Sequence, residues 1–365
     1  MSQNLNTYNP DYPVPPGLVL EDHLESRGWS QNSFAEKCGR SAKLISQIVS
    51  GEAPIEPQTA LEFERVLGME ASVWLNLEST YRLFLTKKRS SESLKDSVVW
   101  AKKFPVSELV KLRIIEKPKN DEALVEQLLR YLNIGSADVG QSKSKELSAR
   151  MHFRRHNTCD LSAEALSIWL RMGEIEAEKQ ECAPYNKSKF IQNLGKIRGL
   201  TRLDPQEFYP SMQELCKEAG VAFAVLHQLP ELPVSGIARW IRPDKALITL
   251  TLRFKTNDHF WFTFFHEAAH ILLHSKKDMF VDLLTPDSSS NEEHEANNWS
   301  ADILIPEKEY RIINNSVLNA DSITALSGKF NIHPGIIVGR LQHDKLVQWN
   351  RFNDLKVKFQ LRSED

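Results

Sequence analysis

Apolar positions along the chain recur mostly at helical spacing. Leu20 and Leu24 lie one turn apart, which predicts a short helix over Gly17 to Arg27. The next stretch, Ser30 to Gly39, puts Phe34, Ala35 and Cys38 on one face and stops at Gly39. Ser41 then caps a helix over Ala42 to Ser50, with Leu44, Ile45 and Ile48 inward and Gly51 ending it. Two short helices around a glycine-marked turn make a helix-turn-helix pattern. In that pattern Lys43, Ser46 and Gln47 face outward, where side chains can reach base edges, and Gln31 and Arg40 are placed for phosphates.

Further along, Phe104-Pro105 and the Gly135 to Ser144 stretch read as breaks. From Glu146 to Gly220 the pattern is helical. Ser162 offers a cap for a helix carrying Leu166, Trp169 and Leu170, Gly173 should loosen that helix, and Phe190, Ile191 and Leu194 form the apolar stripe of another. Val221 to Leu226, Gly236 to Ile241 and Leu247 to Leu252 are β-rich runs; in the last, Ile248, Leu250 and Leu252 alternate with Thr249 and Thr251, which predicts a half-buried strand. The fold class expected is mainly α with a small β-sheet. The expected divisions are a helix-turn-helix bundle over 1–88, a basic helical connector over 89–145 and an α+β domain with a helical lead-in over 146–365.

Immediately after the β-rich runs, Phe260 to Phe265 and Ile271 to Leu273 make a helix that is apolar nearly all round, with Asn257 and Asp258 offered as its N-cap. Inside it stands His266-Glu267-Ala268-Ala269-His270, a H-E-x-x-H segment. Helical residues four apart share a face, so His266 and His270 can present imidazoles to one Zn²⁺. Glu267, beside the first histidine, is placed to take a proton from water and return it to a leaving amine. A third protein ligand is needed, and the acidic helix beginning at Glu292 offers Glu292, Glu293, His294 and Glu295; His274 is a weaker candidate, read as orienting a ligand or as structural. No Tyr, His or Arg is marked by spacing as an oxyanion donor; Arg239, His294, Tyr310 and Arg340 are the candidates. A sheet just ahead of this helix suits a peptidase, because an exposed edge strand can hold an extended substrate. Two later helical stretches, Ser322 to Phe330 and Pro334 to Gln342, have the spacing of a second helix-turn-helix but read as a structural pair, and Val357 to Leu361 as a short strand or a frayed end.

Charge and composition change this picture only locally. The net charge is −2, and residues 1–90 hold nine Lys/Arg against eleven Asp/Glu, so nothing global attracts nucleic acid. Residues 87–117 reverse the balance, with nine Lys/Arg against four Asp/Glu, and could supply phosphate contacts or a solvated connector face. Arg150, Arg154 and Arg155 with His152 and His156 form a second basic cluster. Cys38, Cys159, Cys182 and Cys216 are scattered without a Cys-x-x-Cys pair, which suggests neither a disulfide framework nor a thiolate metal site. With no apolar run of membrane-spanning length and a polar start over Met1 to Pro16, the expectation is a cytoplasmic protein with no membrane partner.

Two stretches also resemble known families. The segment from Pro16 to Arg82, with its Pro-Gly start, the Ser-Gly end of the second helix-turn-helix helix and Trp74-Leu75-Asn76-Leu77, resembles the HigA-type antitoxin branch of the Xre helix-turn-helix regulators. His266-Glu267-Ala268-Ala269-His270-Ile271-Leu272-Leu273-His274, followed by Glu295-Ala296-Asn297-Asn298-Trp299-Ser300-Ala301-Asp302, resembles the ImmA/IrrE metallopeptidases, and Gly236 to Trp240 and Thr256 to Trp261 extend that likeness. The second resemblance implies a zincin-like metallopeptidase domain whose third ligand is the glutamate before Ala-Asn, Glu295, 25 positions after His270. Together they imply a DNA-binding transcriptional regulator that carries a zinc peptidase-like domain able to cleave a regulatory protein or sense a signal. An operator, a cognate toxin or a peptide substrate, and a homodimer reading two half-sites are the partners implied. The alternative is a zinc endopeptidase whose helix-turn-helix serves targeting or protein docking, so catalysis itself stays open at this point.

Overall fold

The computed structural model describes residues 13–153, 162–251, 256–274, 280–283 and 291–359. The chain divides into two compact units, Met1–Val98 and Val99–Asp365. Among the described residues no helix is long and apolar enough to cross a membrane.

The first unit is all helical: α1 (Pro16–Glu25), α2 (Gln31–Cys38), α3 (Ala42–Val49), α4 (Pro57–Leu67) and α5 (Ala71–Ala101), the last running past the division between units. Ser41 and Gly39 act as expected of them, and Ser30, read as the first helical residue, is a cap instead. Ser30 Oγ accepts from Ser33 N at 3.1 Å, Ser41 Oγ accepts from Leu44 N at 3.2 Å, and Gly39 closes α2 in the left-handed region at φ 64°. Leu20, Phe34, Ile45, Phe63 and Trp74 are fully buried between the helices. Phe63 stacks against both Phe34 and Trp74, with ring centroids 5.0 and 5.4 Å away.

The second unit begins with α6 (Val106–Lys111), α7 (Asp121–Leu132), α8 (Ala137–Phe153), α9 (Ala163–Glu178), α10 (Lys187–Gly199) and α11 (Pro205–Lys217). It continues with β1 (Val221–Leu226), β2 (Val234–Arg242), β3 (Lys245–Thr251), α12 (Asn257–Leu273) and β4 (Phe280–Leu283). α13 (Asn291–Leu304), α14 (Glu307–Asn314), α15 (Ala320–Phe330) and α16 (Pro334–His343) complete it. The sheet order is β1-β3-β2-β4, with β1 parallel to β3 and β2 antiparallel to both β3 and β4. α9 covers one face and α12 the other. Leu247 and Thr249 meet Gly173 of α9, whereas Ala238, Ala246, Ile248 and Leu250 join Phe264, Phe265 and Ala268 of α12 in the main core.

Several expectations are corrected by packing. β3 is buried along its whole length rather than half-buried, because it is an interior strand covered on both faces; its threonines turn their hydroxyls onto β2, Thr251 Oγ1 donating to Val234 O at 2.7 Å. The break read at Gly135 to Ser144 is helical from Ala137, and Gly140 is there for contact: a Cβ would come within 2.5 Å of Trp100 Cζ2. Gly173 is likewise there for contact, since a Cβ would meet Thr249 Cγ2 at 2.8 Å, and α9 runs through it unbroken. On α10, Ile191 is 48% exposed and Ile197 takes the inward position with Phe190 and Leu194. The N-cap of α12 is Thr256, not Asn257 or Asp258. Asn257 instead ties that end of the helix to the end of the chain: its N donates to Val357 O at 2.8 Å and its Oδ1 accepts from Val357 N at 3.2 Å. Thr256 also bridges to Lys358, which is what becomes of the strand read over Val357 to Leu361; Gln360 and Leu361 lie outside the described residues. The cluster of Arg150, His152, Arg154, Arg155 and His156 also falls where side chains are not described.

The two sheet edges differ. On β1, Gln180 takes both backbone groups of Phe223 (Nε2 to O at 3.0 Å, N to Oε1 at 3.1 Å), Gln213 Nε2 adds a second donor to Phe223 O, and Tyr209 OH accepts from Val225 N. Side chains thus satisfy that edge. The other edge is β4, joined to β2 through pairs including Ile237 with Val281.

Candidate metal centre and nucleic-acid interface

α12 carries polar groups in the middle of the core. From Thr263 to Leu272 every residue is buried, including His266 at 3%, Glu267 at 0% and His270 at 1% exposure. Groups of this kind at such depth require compensation. The two imidazoles meet as their four-residue spacing dictates, with Nε2 atoms 3.0 Å apart and ring centroids 4.6 Å apart. Glu267 lies over β2, on the side where Gly236 leaves room: a Cβ at Gly236 would fall 2.7 Å from Glu267 Oε1 and 2.8 Å from its Cγ. The strand therefore tolerates only glycine beside this carboxylate.

The third candidate ligating group comes from α13, and it is Glu293. Glu293 Oε2 stands 3.2 Å from His266 Nε2, and Oε1 stands 3.6 Å from His270 Nε2. The structure does not bring Glu295 to the two histidines; its side chain is 64% exposed and its Oε2 lies 3.4 Å from His274 Nε2. The reason is helical phase. Residues two apart on a helix point about 200° apart, so only one of Glu293 and Glu295 can face α12. Ala296, Ser300 and Leu304 are the buried residues of α13, and Glu293 extends that stripe by one turn. This apolar stripe was present in the sequence and is the signal that selects Glu293.

Donor atoms of His266, His270 and Glu293 all lie within 4.8 Å of one another. Ligands of a tetrahedral zinc with bonds of about 2.0–2.1 Å would sit about 3.3 Å apart, so the observed 3.0, 3.2 and 3.6 Å suit such an ion. Two imidazoles and one carboxylate are also the donor set of catalytic zinc sites. The oxyanion candidates fare less well. Arg239 lies on the opposite face of the sheet, where its Nη2 donates to Leu170 O and Glu174 Oε1, and burial holds its pKa below the usual guanidinium value. Tyr310 OH and Arg340 Nε both donate to Asp344 Oδ2 at 2.6 Å. His294 is exposed on α13.

In the first unit, α3 buries Ile45 and Ile48 and leaves Lys43 and Ser46 exposed, with Gln47 half-buried on the border. Gln31, the first residue of α2, is half-buried. Arg40 differs from the expectation of a phosphate contact: its guanidinium makes a two-point pair with Glu62, Nε to Oε2 and Nη2 to Oε1, bracing the α2–α3 turn against α4. That pair raises the pKa of Arg40 and lowers that of Glu62.

Comparison with known proteins falls along the same division. Residues 20–74 match the family described as helix-turn-helix, and residues 211–341 match the peptidase family described as the IrrE N-terminal-like domain. Virulence-associated protein I of Dichelobacter nodosus is 32% identical over 76 residues, which is 20% of this chain and 70% of that protein. The chain belongs to the helix-turn-helix regulators. Its second unit carries an IrrE N-terminal-like peptidase domain spanning β1 to α16 and so containing the whole histidine and glutamate cluster. The uncharacterized HTH-type transcriptional regulator YddM of Escherichia coli (strain K12) is 26% identical over 73 residues, 20% of this chain and 78% of that one. Two solved antitoxins are also similar. The HigA-family addiction module antidote protein from Coxiella burnetii is 26% identical, with 23% of this chain and 92% of that chain covered and a TM-score of 0.21. The Pseudomonas aeruginosa antitoxin HigA, solved with the higBA promoter, is 26% identical, with 23% and 94% covered and a TM-score of 0.22.

Proposed function

We propose that this regulator binds operator DNA through α3 and carries, in its IrrE-like unit, a zinc-dependent peptidase site built on α12 and α13. The observation that carries the reading is the cluster of buried His266 and His270 with half-buried Glu293, beside Glu267. His266, His270 and Glu293 would hold Zn²⁺. Bound there, zinc would act as a Lewis acid toward a peptide carbonyl and make water more acidic. Glu267 moves the proton, taking it from the attacking water and delivering it to the departing amine. Glu267 is fully buried on α12, which strengthens every charge interaction it makes. An extended substrate can add to the outer edge of β4, since side chains already satisfy β1.

In the first unit, Lys43, Ser46 and Gln47 would read bases, and Gln31 would touch phosphate; Arg40 keeps the turn in shape. A homodimer on two half-sites, in the cytoplasm, fits this type of reader. The substrate or bound partner of the second unit would be a regulatory protein or, as the antitoxin relatives suggest, a toxin.

The deciding measurement is the zinc content of purified protein beside the Glu293→Ala variant. About one zinc per chain, lost in the variant, is expected. Wild-type protein that takes up no zinc even when it is supplied would overturn the peptidase site.

A further inference from the structure

Beyond the three zinc-facing groups, His274 stands one turn on from His270 as the C-cap of α12, and the contacts around it form a chain leading outward. His270 turns Nε2 toward His266 and Glu293, while its Nδ1 lies 2.9 Å from His274 Nδ1. The far nitrogen of His274, Nε2, lies 3.4 Å from Glu295 Oε2. His274 is almost wholly enclosed, its side chain 4% exposed, whereas that of Glu295 is 64% exposed.

We propose that His274 and Glu295 are positioning residues that fix the tautomer and ring angle of His270 as a metal ligand. This rests on the zinc reading above. The proton positions follow from the distances. A ligand histidine must leave Nε2 unprotonated, so its one proton sits on Nδ1. That N–H then donates to His274 Nδ1, which as acceptor carries no proton, so the proton of His274 sits on Nε2 and donates to Glu295. The sequence of donors runs His270, His274, Glu295, and the carboxylate at its end makes each imidazole upstream a better acceptor or ligand. It also gives Glu295 a role that needs no direct contact with the ion. Two glutamates on one helix, about 200° apart in direction, are thereby both used: one beside the imidazoles, the other behind them.

The test is zinc affinity, measured by competition with a chromophoric chelator on the full-length protein, with no substrate required. His274→Ala should retain about one zinc per chain but bind it roughly 10- to 100-fold more weakly. Glu295→Ala should weaken binding several-fold in the same direction, and Glu295→Gln, whose amide oxygen still accepts from Nε2–H, should recover most of that loss. In a His274→Ala background, Glu295→Ala should add nothing, because the group it acts through is gone. Because Glu295 is exposed, its variants report even if His274→Ala does not fold. Wild-type affinity in Glu295→Ala would overturn the relay while leaving the zinc site standing. Stoichiometric zinc lost in Glu295→Ala and kept in Glu293→Ala would also overturn it, by making Glu295 the ligand. If the wild-type protein binds no zinc, relay and zinc reading fall together.

Discussion

The α2–α3 pair of the first unit and the α15–α16 pair of the second are written in the same local code, yet they end in opposite environments. Each first helix ends at a left-handed residue, Gly39 at φ 64° and Asn331 at φ 52°. Each second helix is capped by a side chain, Ser41 to Leu44 N and His333 Nδ1 to Gly335 N. The difference lies in the second helix. α3 buries Ile45 and Ile48 and leaves a polar side in solvent, whereas α16 buries Gly335, Ile336, Ile337, Val338, Leu341 and Gln342. α16 is enclosed because α12 packs against it. A helix-turn-helix spacing therefore says how the chain turns, and the polarity of the second helix says whether the turn presents a reading surface or a wall.

The largest expected effect comes from disturbing the wall. Gly339 lies against the start of α12, where an added Cβ would sit 2.7 Å from Asp258 Oδ2 and 2.8 Å from its Cβ. Asp258 is itself fixed by Lys356, whose Nζ donates to Asp258 Oδ2 at 2.6 Å and to Gln342 Oε1 at 2.7 Å. The carboxylate has little freedom to yield. Gly339→Val should cost the second unit about 3 kcal/mol, read as a lowered midpoint in denaturant unfolding. A variant as stable as wild type would mean that α16 is not held closely against α12.

Next is the reading surface. Changing Lys43 and Gln47 to alanine should reduce operator affinity by roughly ten- to a hundredfold, measured by fluorescence anisotropy on labelled duplex at fixed salt. The unfolding midpoint of the first unit should hardly move, because Lys43 is exposed and Gln47 only half-buried. The equivalent outward change on the wall helix should leave DNA binding untouched. Unchanged operator affinity in the double variant would mean that α3 does not read the bases through these side chains, and a wild-type protein with no operator affinity would favour a helix-turn-helix that docks proteins instead of DNA.

Much of this was legible in the sequence because it is local. The caps at Ser41 and Ser162, the stop at Gly39 and the four-residue spacing of His266 and His270 each act within a turn or two of the chain, and each stands as read. What escaped depends on neighbours distant in sequence. Gly140 looks like a loop residue until Trp100 is set against it, and Thr249 and Thr251 look solvent-facing until α9 covers their side of the sheet. Asn257 has the chemistry of a cap but is used to hold the end of the chain. Glu293 and Glu295 are a different case. The stripe formed by Ala296, Ser300 and Leu304 was readable, and following its phase rather than the Glu-Ala-Asn string selects the carboxylate that meets the histidines.

The smallest effect, and the one that sharpens the comparison most finely, concerns the two caps. Ser41 does not titrate, whereas His333 does. His333 Nδ1 receives two N–H groups, from Asn257 Nδ2 at 2.6 Å and Gly335 N at 3.0 Å, so the folded state requires that nitrogen unprotonated. Burial pushes its pKa below the ordinary 6.5 and nearby Arg202 pushes it the same way, while Asp258 opposes them. The unfolded chain therefore binds this proton more readily than the folded one, and unfolding gains from acid. The stability contributed by the neutral ring is complete above pH about 6.5 and is lost as pH falls through that value toward the lower folded-state pKa. His333→Asn keeps an acceptor at the cap without a titrating nitrogen. Between pH 8 and pH 5 the unfolding midpoint of the second unit should fall further in wild type than in this variant, and the first unit should show no difference between the two proteins. Parallel pH profiles would mean that the ring is already held by contacts indifferent to its proton, and the two caps would then be equivalent in kind.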